Sequence, residues 1–119
     1  MFEKLELTRM AQGLAAHAGT RLGIIARNIA HADTPGFRAM DMPAFAQVYR
    51  AGPDAGAGGE TAAARPTALQ MAADPNGNTV ALEDQIRRMA ETRQSHEMAL
   101  SIYRSASAVV RVALGRGGQ

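Results

Sequence analysis

Few side chains in this 119-residue chain could do chemistry. His17, His31 and His96 are its three histidines. None stands at metal-ligand spacing from another histidine or from a carboxylate pair. His31 and Asp33, two apart, fall on a turn, so the pattern points to no metal site. The chain has no cysteine, which excludes a disulfide framework, zinc–thiolate sites, iron–sulfur clusters and a cysteine nucleophile. The glycines from Gly56 to Gly59 sit in a low-complexity stretch, not between a strand and a helix, so they make no phosphate loop. His96 reads as a polar interruption of a helix face, and Asp33-Thr34 as a turn with an Asx-type hydrogen bond. Two packed helices offer no deep pocket. The expectation is a protein without catalysis or cofactor.

Charge points the same way. Thirteen Lys+Arg stand against eleven Asp+Glu, a net charge of +2. Arg87 and Arg88 share their segment with Glu83, Asp84, Glu91 and Glu97, which describes a solvated mixed-charge face with pairs such as Glu83–Arg87. Neither a nucleic-acid footprint nor a basic membrane-surface helix is drawn. No apolar run approaches the roughly 18–20 residues of a membrane span. The opening Met1-Phe2-Glu3-Lys4-Leu5-Glu6 is not a basic-then-apolar leader, so no cleavable secretory signal is expected. Residence outside the cytoplasm would need another export route.

The elements that must carry any interaction are two long helices. Apolar residues are 46% of the chain and aromatics only 4%, and an apolar mass of Ala, Met, Leu and Ile suits helices. From Phe2 to about Ala30, Leu7, Met10, Leu14, Ala18, Leu22, Ile25 and Ile29 step by three or four along one helix face. Gly13, Gly19 and Gly23 weaken that helix, or let another backbone come close. Pro35 stops it: Pro35 presets the second turn position and Gly36 accepts positive φ at the third. Residues 37–45 read as extended, with Phe37 and Phe45 as anchors.

Residues 51–78 are Ala-Gly-Pro rich and read as a flexible linker. The last segment, 79–119, starts at a potential N-cap, Thr79, and ends at Gly115, Gly117 and Gly118. Leu82, Ile86, Met89, Arg93, His96, Leu100, Tyr103, Ser107, Val110 and Leu114 alternate steps of four and three, the 3.5-residue repeat of a coiled-coil seam. The expected architecture is all-α: a coiled-coil hairpin of an N-terminal helix with its turn and extended segment (1–50) and a C-terminal helix (79–119). Leu7, Met10, Leu14, Leu22, Ile25 and Ile29 would pack on Ile86, Met89, Leu100, Tyr103, Val110 and Leu114. Two such helices bury one stripe each, and so small a core stabilises a chain by only a few kcal/mol. An apolar stripe should therefore stay exposed until a partner covers it.

Two stretches carry a family resemblance. Ala26-Arg27-Asn28-Ile29-Ala30-His31-Ala32-Asp33-Thr34-Pro35-Gly36-Phe37-Arg38-Ala39 is similar to the N-terminal signature of the flagellar rod and hook axial proteins, in the form of the FlgB-type proximal rod family. Asp41 and Phe45 stand where that family places an Asp and a Phe. Asp74-Pro75-Asn76-Gly77-Asn78-Thr79-Val80 resembles its entry to the C-terminal helix, followed by Leu82, Glu83, Met89, Ala90 and Glu91. His31, Ala81 and Arg93 depart from the family's Asn, Asp and Asn.

The resemblance implies a structural subunit of the flagellar basal-body rod, a self-assembling motility protein without enzyme activity. It would be exported through the flagellar type III apparatus, and its partners would be copies of itself, other rod proteins and basal-body ring or adaptor proteins. Asn28, Ile29, Ala30, Ala32, Asp33, Thr34, Pro35, Gly36, Phe37 and Arg38 would form the turn that touches the next subunit. The residues alone leave open a cytoplasmic helical-hairpin adaptor or chaperone and, more remotely, a small DNA-binding helical dimer.

Overall fold

A computed structural model describes residues 2–51 and 65–117. The chain is mostly helical. Helix α1 spans Phe2–Ala30 and helix α3 spans Leu82–Gly117. Between them lie strand β1 (Met40–Asp41), the short helix α2 (Phe45–Ala51) and strand β2 (Thr67–Ala68). The two long helices pack antiparallel. Asn28 meets Gln85 at one end, and Leu7 lies beside Ile102, Ala106 and Val109 towards the other. The result is a rod 69 Å long and 30 by 17 Å across.

The buried seam repeats every seven residues on both helices. Ala11, Ala18 and Ile25 are buried on α1, and Gln85, Thr92, Ala99 and Ala106 on α3. The expected period is present, but its phase on α3 is one residue early. Ile86, Leu100 and their stripe therefore lie about 100° round the helix from the contact line. Ile86 is 55% exposed, Leu82 50%, Leu114 63% and Tyr103 36%; on α1 Met10 is exposed as well. Of the expected packing residues only Ile25 is fully buried. Leu7, Leu14, Leu22, Ile29, Met89, Leu100 and Val110 are half-buried. The physical reason is the size and polarity of the seam. Alanines let the helices approach closely, and at the turn end Asn28, Gln85, Arg21 and Arg88 must face inward to reach one another's partners.

Residues 65–78, the described part of the expected linker, form a strap with residues 37–41. β1 pairs antiparallel with β2, Met40 opposite Ala68 and Asp41 opposite Thr67. The Leu69 N–H donates to the Ala39 carbonyl at 2.8 Å and the Thr79 N–H to the Phe37 carbonyl at 3.0 Å. Residues 65–78 thus belong to the folded unit, held by backbone pairing that composition does not reveal. The rest of the expected linker, 52–64, lies outside the described residues. Helix α2 replaces the end of the expected extended segment. Among the described elements it packs on α1: the Phe45 ring sits edge-on to His17, 5.6 Å between centroids, and faces Gly13, where a Cβ would come within 3.4 Å of it. Gly19 and Gly23 face no such neighbour.

The Pro35 turn forms as expected. The Phe37 N–H donates to the Thr34 carbonyl at 3.2 Å, with Gly36 at φ +75°. Helix α3 begins later than Thr79. The Gln85 N–H donates to the Ala81 carbonyl, which makes Ala81 the N-cap, and the Thr79 hydroxyl accepts the Ala39 N–H at 2.9 Å instead. At its other end α3 runs through Gly115 to Gly117.

Candidate interaction surface

The two motif stretches, far apart in sequence, build one clasp at the turn end of the rod. Asn28 on α1 is 1% exposed. Its Nδ2 donates to the Met40 carbonyl at 2.8 Å and to Gln85 Oε1 at 2.9 Å, and its Oδ1 accepts the Met40 N–H at 3.1 Å. One amide therefore ties α1 to the strap and to α3. Asn78, also 1% exposed, donates from Nδ2 to the His31 and Thr34 carbonyls at 2.9 and 2.6 Å. Both carbonyls belong to the turn that follows α1 and also accept backbone N–H groups, His31 from Thr34 and Thr34 from Phe37, so Asn78 adds a second donor to each. The Gly36 N–H donates to the Asn76 carbonyl at 3.0 Å, and at Gly77, with φ +84°, an added Cβ would stand 3.4 Å from the Gly36 Cα. Only glycine holds that backbone angle without strain.

The clasp absorbs part of the expected contact turn. Asn28 is buried; Ile29, Ala32 and Phe37 are half-buried, with Phe37 stacked on His31 at 4.5 Å. Ala30, Asp33, Thr34, Pro35, Gly36 and Arg38 remain on the surface. No side-chain hydrogen bond of Asp33 forms among the described residues; the local bond is His31 Nδ1 with Thr34 Oγ1 at 3.1 Å.

Asp41 is the electrostatic centre. It is 5% exposed, and it accepts Arg21 Nε at 2.9 Å, Arg21 Nη2 at 3.0 Å, Arg88 Nη1 at 2.6 Å and the Met42 N–H at 2.7 Å. One strap carboxylate thereby joins an arginine from each long helix. Burial works against its charge, but Arg21, the Met42 N–H and Arg88 outweigh burial and hold its carboxyl below the usual range. Asp84 is likewise held low, burial being outweighed by Arg88 and Arg87. Arg87 pairs with Asp84 and Glu91, each at 2.6 Å, rather than with Glu83. The signal that could have found Arg88 was the phase of the repeat: 85, 88, 92, 95, 99, 102, 106 and 109 keep the same four-three spacing as the more apolar stripe one residue on; Arg21 stands at the matching phase of α1, between Ala18 and Ile25.

Beside Asp41 an open cleft of about 390 Å³ runs between α1, α3 and the strap, lined among others by Leu14, His17, Arg21, Phe45, Arg88 and Ser95. The strap supplies this wall, which the two-helix expectation lacked. The chemistry facing it is already engaged. Asp41 is saturated, both arginines are paired, and His17 Nε2 donates to the Pro43 carbonyl at 2.7 Å. Among the described residues no three His, Cys, Asp or Glu side chains converge on a metal-sized space, and no helix is long and apolar enough to cross a membrane. His96 is half-buried.

What the surface offers is uncovered apolar side chains. Beyond the stripe, Leu5 on α1 and Met98, Val109 and Val112 on α3 are about half exposed or more. A shallow groove of about 250 Å³ opens between the helices near Leu7, Ile102 and Val109. Apolar surface of this kind, where it is contiguous, marks protein–protein contacts. No known family model matches the chain, and no curated protein matches it.

Proposed function

We propose that this chain is a structural subunit of the proximal rod of the bacterial flagellar basal body, a FlgB-type axial protein. On this reading the two long helices form a coiled-coil hairpin, consistent with the seven-residue burial repeat on both. The hairpin polymerises through its uncovered faces into the axial drive shaft. Burial withheld from the single chain is completed by neighbours, which couples ordering to assembly. Its partners are copies of itself, other rod proteins, basal-body ring or adaptor proteins and the type III export apparatus. Its place is the periplasm-spanning rod, and it performs no catalysis.

The observation that carries the reading is the clasp. Asn28 to Phe37 and Asp74 to Thr79 are the stretches that resemble the axial family, and they bond to each other through Asn78, Asn76 and Phe37. Two separate resemblances thus serve one local structure, which chance similarity does not require.

The test is cell fractionation combined with Ile86→Asp. The chain should co-purify with basal bodies. The Ile86→Asp variant, altered at an exposed site, should fold yet abolish rod assembly and swimming. Recovery of the chain in the cytosol alone, or normal swimming of the variant, overturns the reading; the cytosolic result is the one a hairpin adaptor predicts.

A further inference from the structure

The α3 stripe has a symmetry that the hairpin itself does not use. Its positions, 82, 86, 89, 93, 96, 100, 103, 107, 110 and 114, alternate steps of four and three and read the same in both directions. We propose that this stripe docks α3 of a second copy, antiparallel and centred near Met98. In that register Leu82 meets the second copy's Leu114, Ile86 meets Val110, and each contact occurs twice.

The interrupting residues choose the direction. A parallel, in-register pair sets Arg93 on Arg93 and His96 on His96, placing like charges in the middle of the contact. The antiparallel pair sets Arg93 on Tyr103, a guanidinium against an aromatic face, and His96 on Leu100. Arg93 and Tyr103 are both exposed and free to turn towards a partner.

The flanking column agrees. Glu83, Ala90, Glu97, Arg104 and Arg111 follow the stripe at seven-residue intervals, acidic towards the start and basic towards the end. Antiparallel pairing brings Glu83 beside the second copy's Arg111 at both ends. Glu97 near its own copy is the one like-charge contact, and it lies exposed at the rim, where salt screens it. The strap reaches α3 at Arg88, through Asp41, and Arg88 lies outside the stripe; Leu82, Ile86, Arg93, Tyr103 and Leu114 are exposed to an approaching helix, while the positions between them are half-buried or exposed and none is fully buried. A contact ~48 Å long and ~10 Å wide buries roughly 1,000 Å² over both copies, the lower end for a specific interface. An interface of this size is at the weak end, so the dimer should form and dissociate within the range of about 1 µM to about 1 mM.

The inference needs the stripe but not the rod. Sedimentation equilibrium from about 1 µM to about 1 mM reads it directly. Glu83 and Arg111 make no ion pair among the described residues and are exposed, so reversing either should leave the hairpin folded, which circular dichroism checks. Glu83→Arg and Arg111→Glu should each raise the dissociation constant about tenfold, and the double reversal should restore it. A monomer throughout, or a double variant as weak as either single one, overturns the proposal. Because the chain lacks cysteine, orientation can be read separately. A mixture of His96→Cys and Leu100→Cys chains should cross-link to each other; Leu100→Cys linking to itself instead overturns the antiparallel register. A dimer with these properties in a chain absent from basal bodies supports this inference while refuting the rod reading.

Discussion

Replacing Asp41 with alanine tests whether the strap, rather than apolar contact, locks the two helices together. The carboxylate accepts four hydrogen bonds, three of them from arginines of α1 and α3. Its loss strands the Arg21 guanidinium and leaves Arg88 with Asp84 alone. Stranding a fully buried charge costs about 3–5 kcal/mol. Here water reaches the arginine side chains, which are 21% and 20% exposed, and Arg88 keeps Asp84 at 2.6 Å. The expected loss is therefore about 2–3 kcal/mol, a large share of a small domain's total. With a urea slope of about 1–1.5 kcal/mol/M, the midpoint should fall by about 2 M, followed by circular dichroism in the helix band. A double-mutant cycle with Arg21→Ala should give a coupling above about 1 kcal/mol, whereas the exposed Arg87–Glu91 pair should give about 0.3 kcal/mol. A loss below about 0.5 kcal/mol for Asp41→Ala, as for an ordinary surface change, would refute the clasp argument.

Asn28→Ala removes three hydrogen bonds at a buried site and leaves the Gln85 side chain, whose Nε2 has no partner among the described residues, with no bond from Oε1 either; it should cost about 2–4 kcal/mol in the same titration. Ala81 is an N-cap without a side-chain acceptor, so Ala81→Asp should raise stability by about 1 kcal/mol and extend the thermal transition upward. Asp41 and Asp84 titrate below their usual range when folded, so the folded chain binds fewer protons than the unfolded one. Their stabilisation is complete above the ordinary carboxylate pKa of about 4 and is lost as pH falls further, which an acid titration of the urea midpoint reads. Ala99→Leu should overpack the seam and cost about 1–3 kcal/mol, while Ile86→Ser should stay within about 0.5 kcal/mol at monomer concentrations. The reverse order would mean that the stripe, not the alanine line, is the seam.

Periodicity and turn chemistry made the helices and the Pro35-Gly36 turn legible, because those signals are local. The phase of α3 was not legible, because the choice between the 86/93/100/107 line and the 85/92/99/106 line is made by α1 and the strap. Hydropathy favours Ile86 and Leu100; partner chemistry favours Gln85, which meets Asn28, and Arg88, which meets Asp41. A single step along the sequence turns the contact line through about 100°. The strap was missed for a related reason. Thr67-Ala68 is too short, after Pro66 and among alanines, to read as a strand, and becomes one because Met40-Asp41 lies alongside. Asp41 and Asn78 were visible only as positions within a resemblance, and their work, accepting two arginines and closing the end of α1, depends on chain folded back from elsewhere.

The distribution of contacts along the rod has a consequence for how it holds together. At the turn end Asn28 and Asn78 through buried amide bonds, and Asp41, Arg21 and Arg88 through charge-assisted ones, interlock three segments. Towards the other end the seam is alanine against alanine, and Leu5, Met10, Val109, Val112 and Leu114 face water. Alanine burial contributes little per residue, since so little apolar area leaves water. Stability must therefore fall along the rod from the clasp outward, so that amide hydrogens of residues 20–30 and 84–96 should exchange more slowly than those of residues 3–10 and 105–114. The same gradient places the most apolar surface where the hairpin binds itself least. An added helix covering the α3 stripe would gain more there than any rearrangement within the hairpin. Protection rising at 105–114 with protein concentration, while the clasp end stays constant, is the signature that separates completion by a partner from simple fraying.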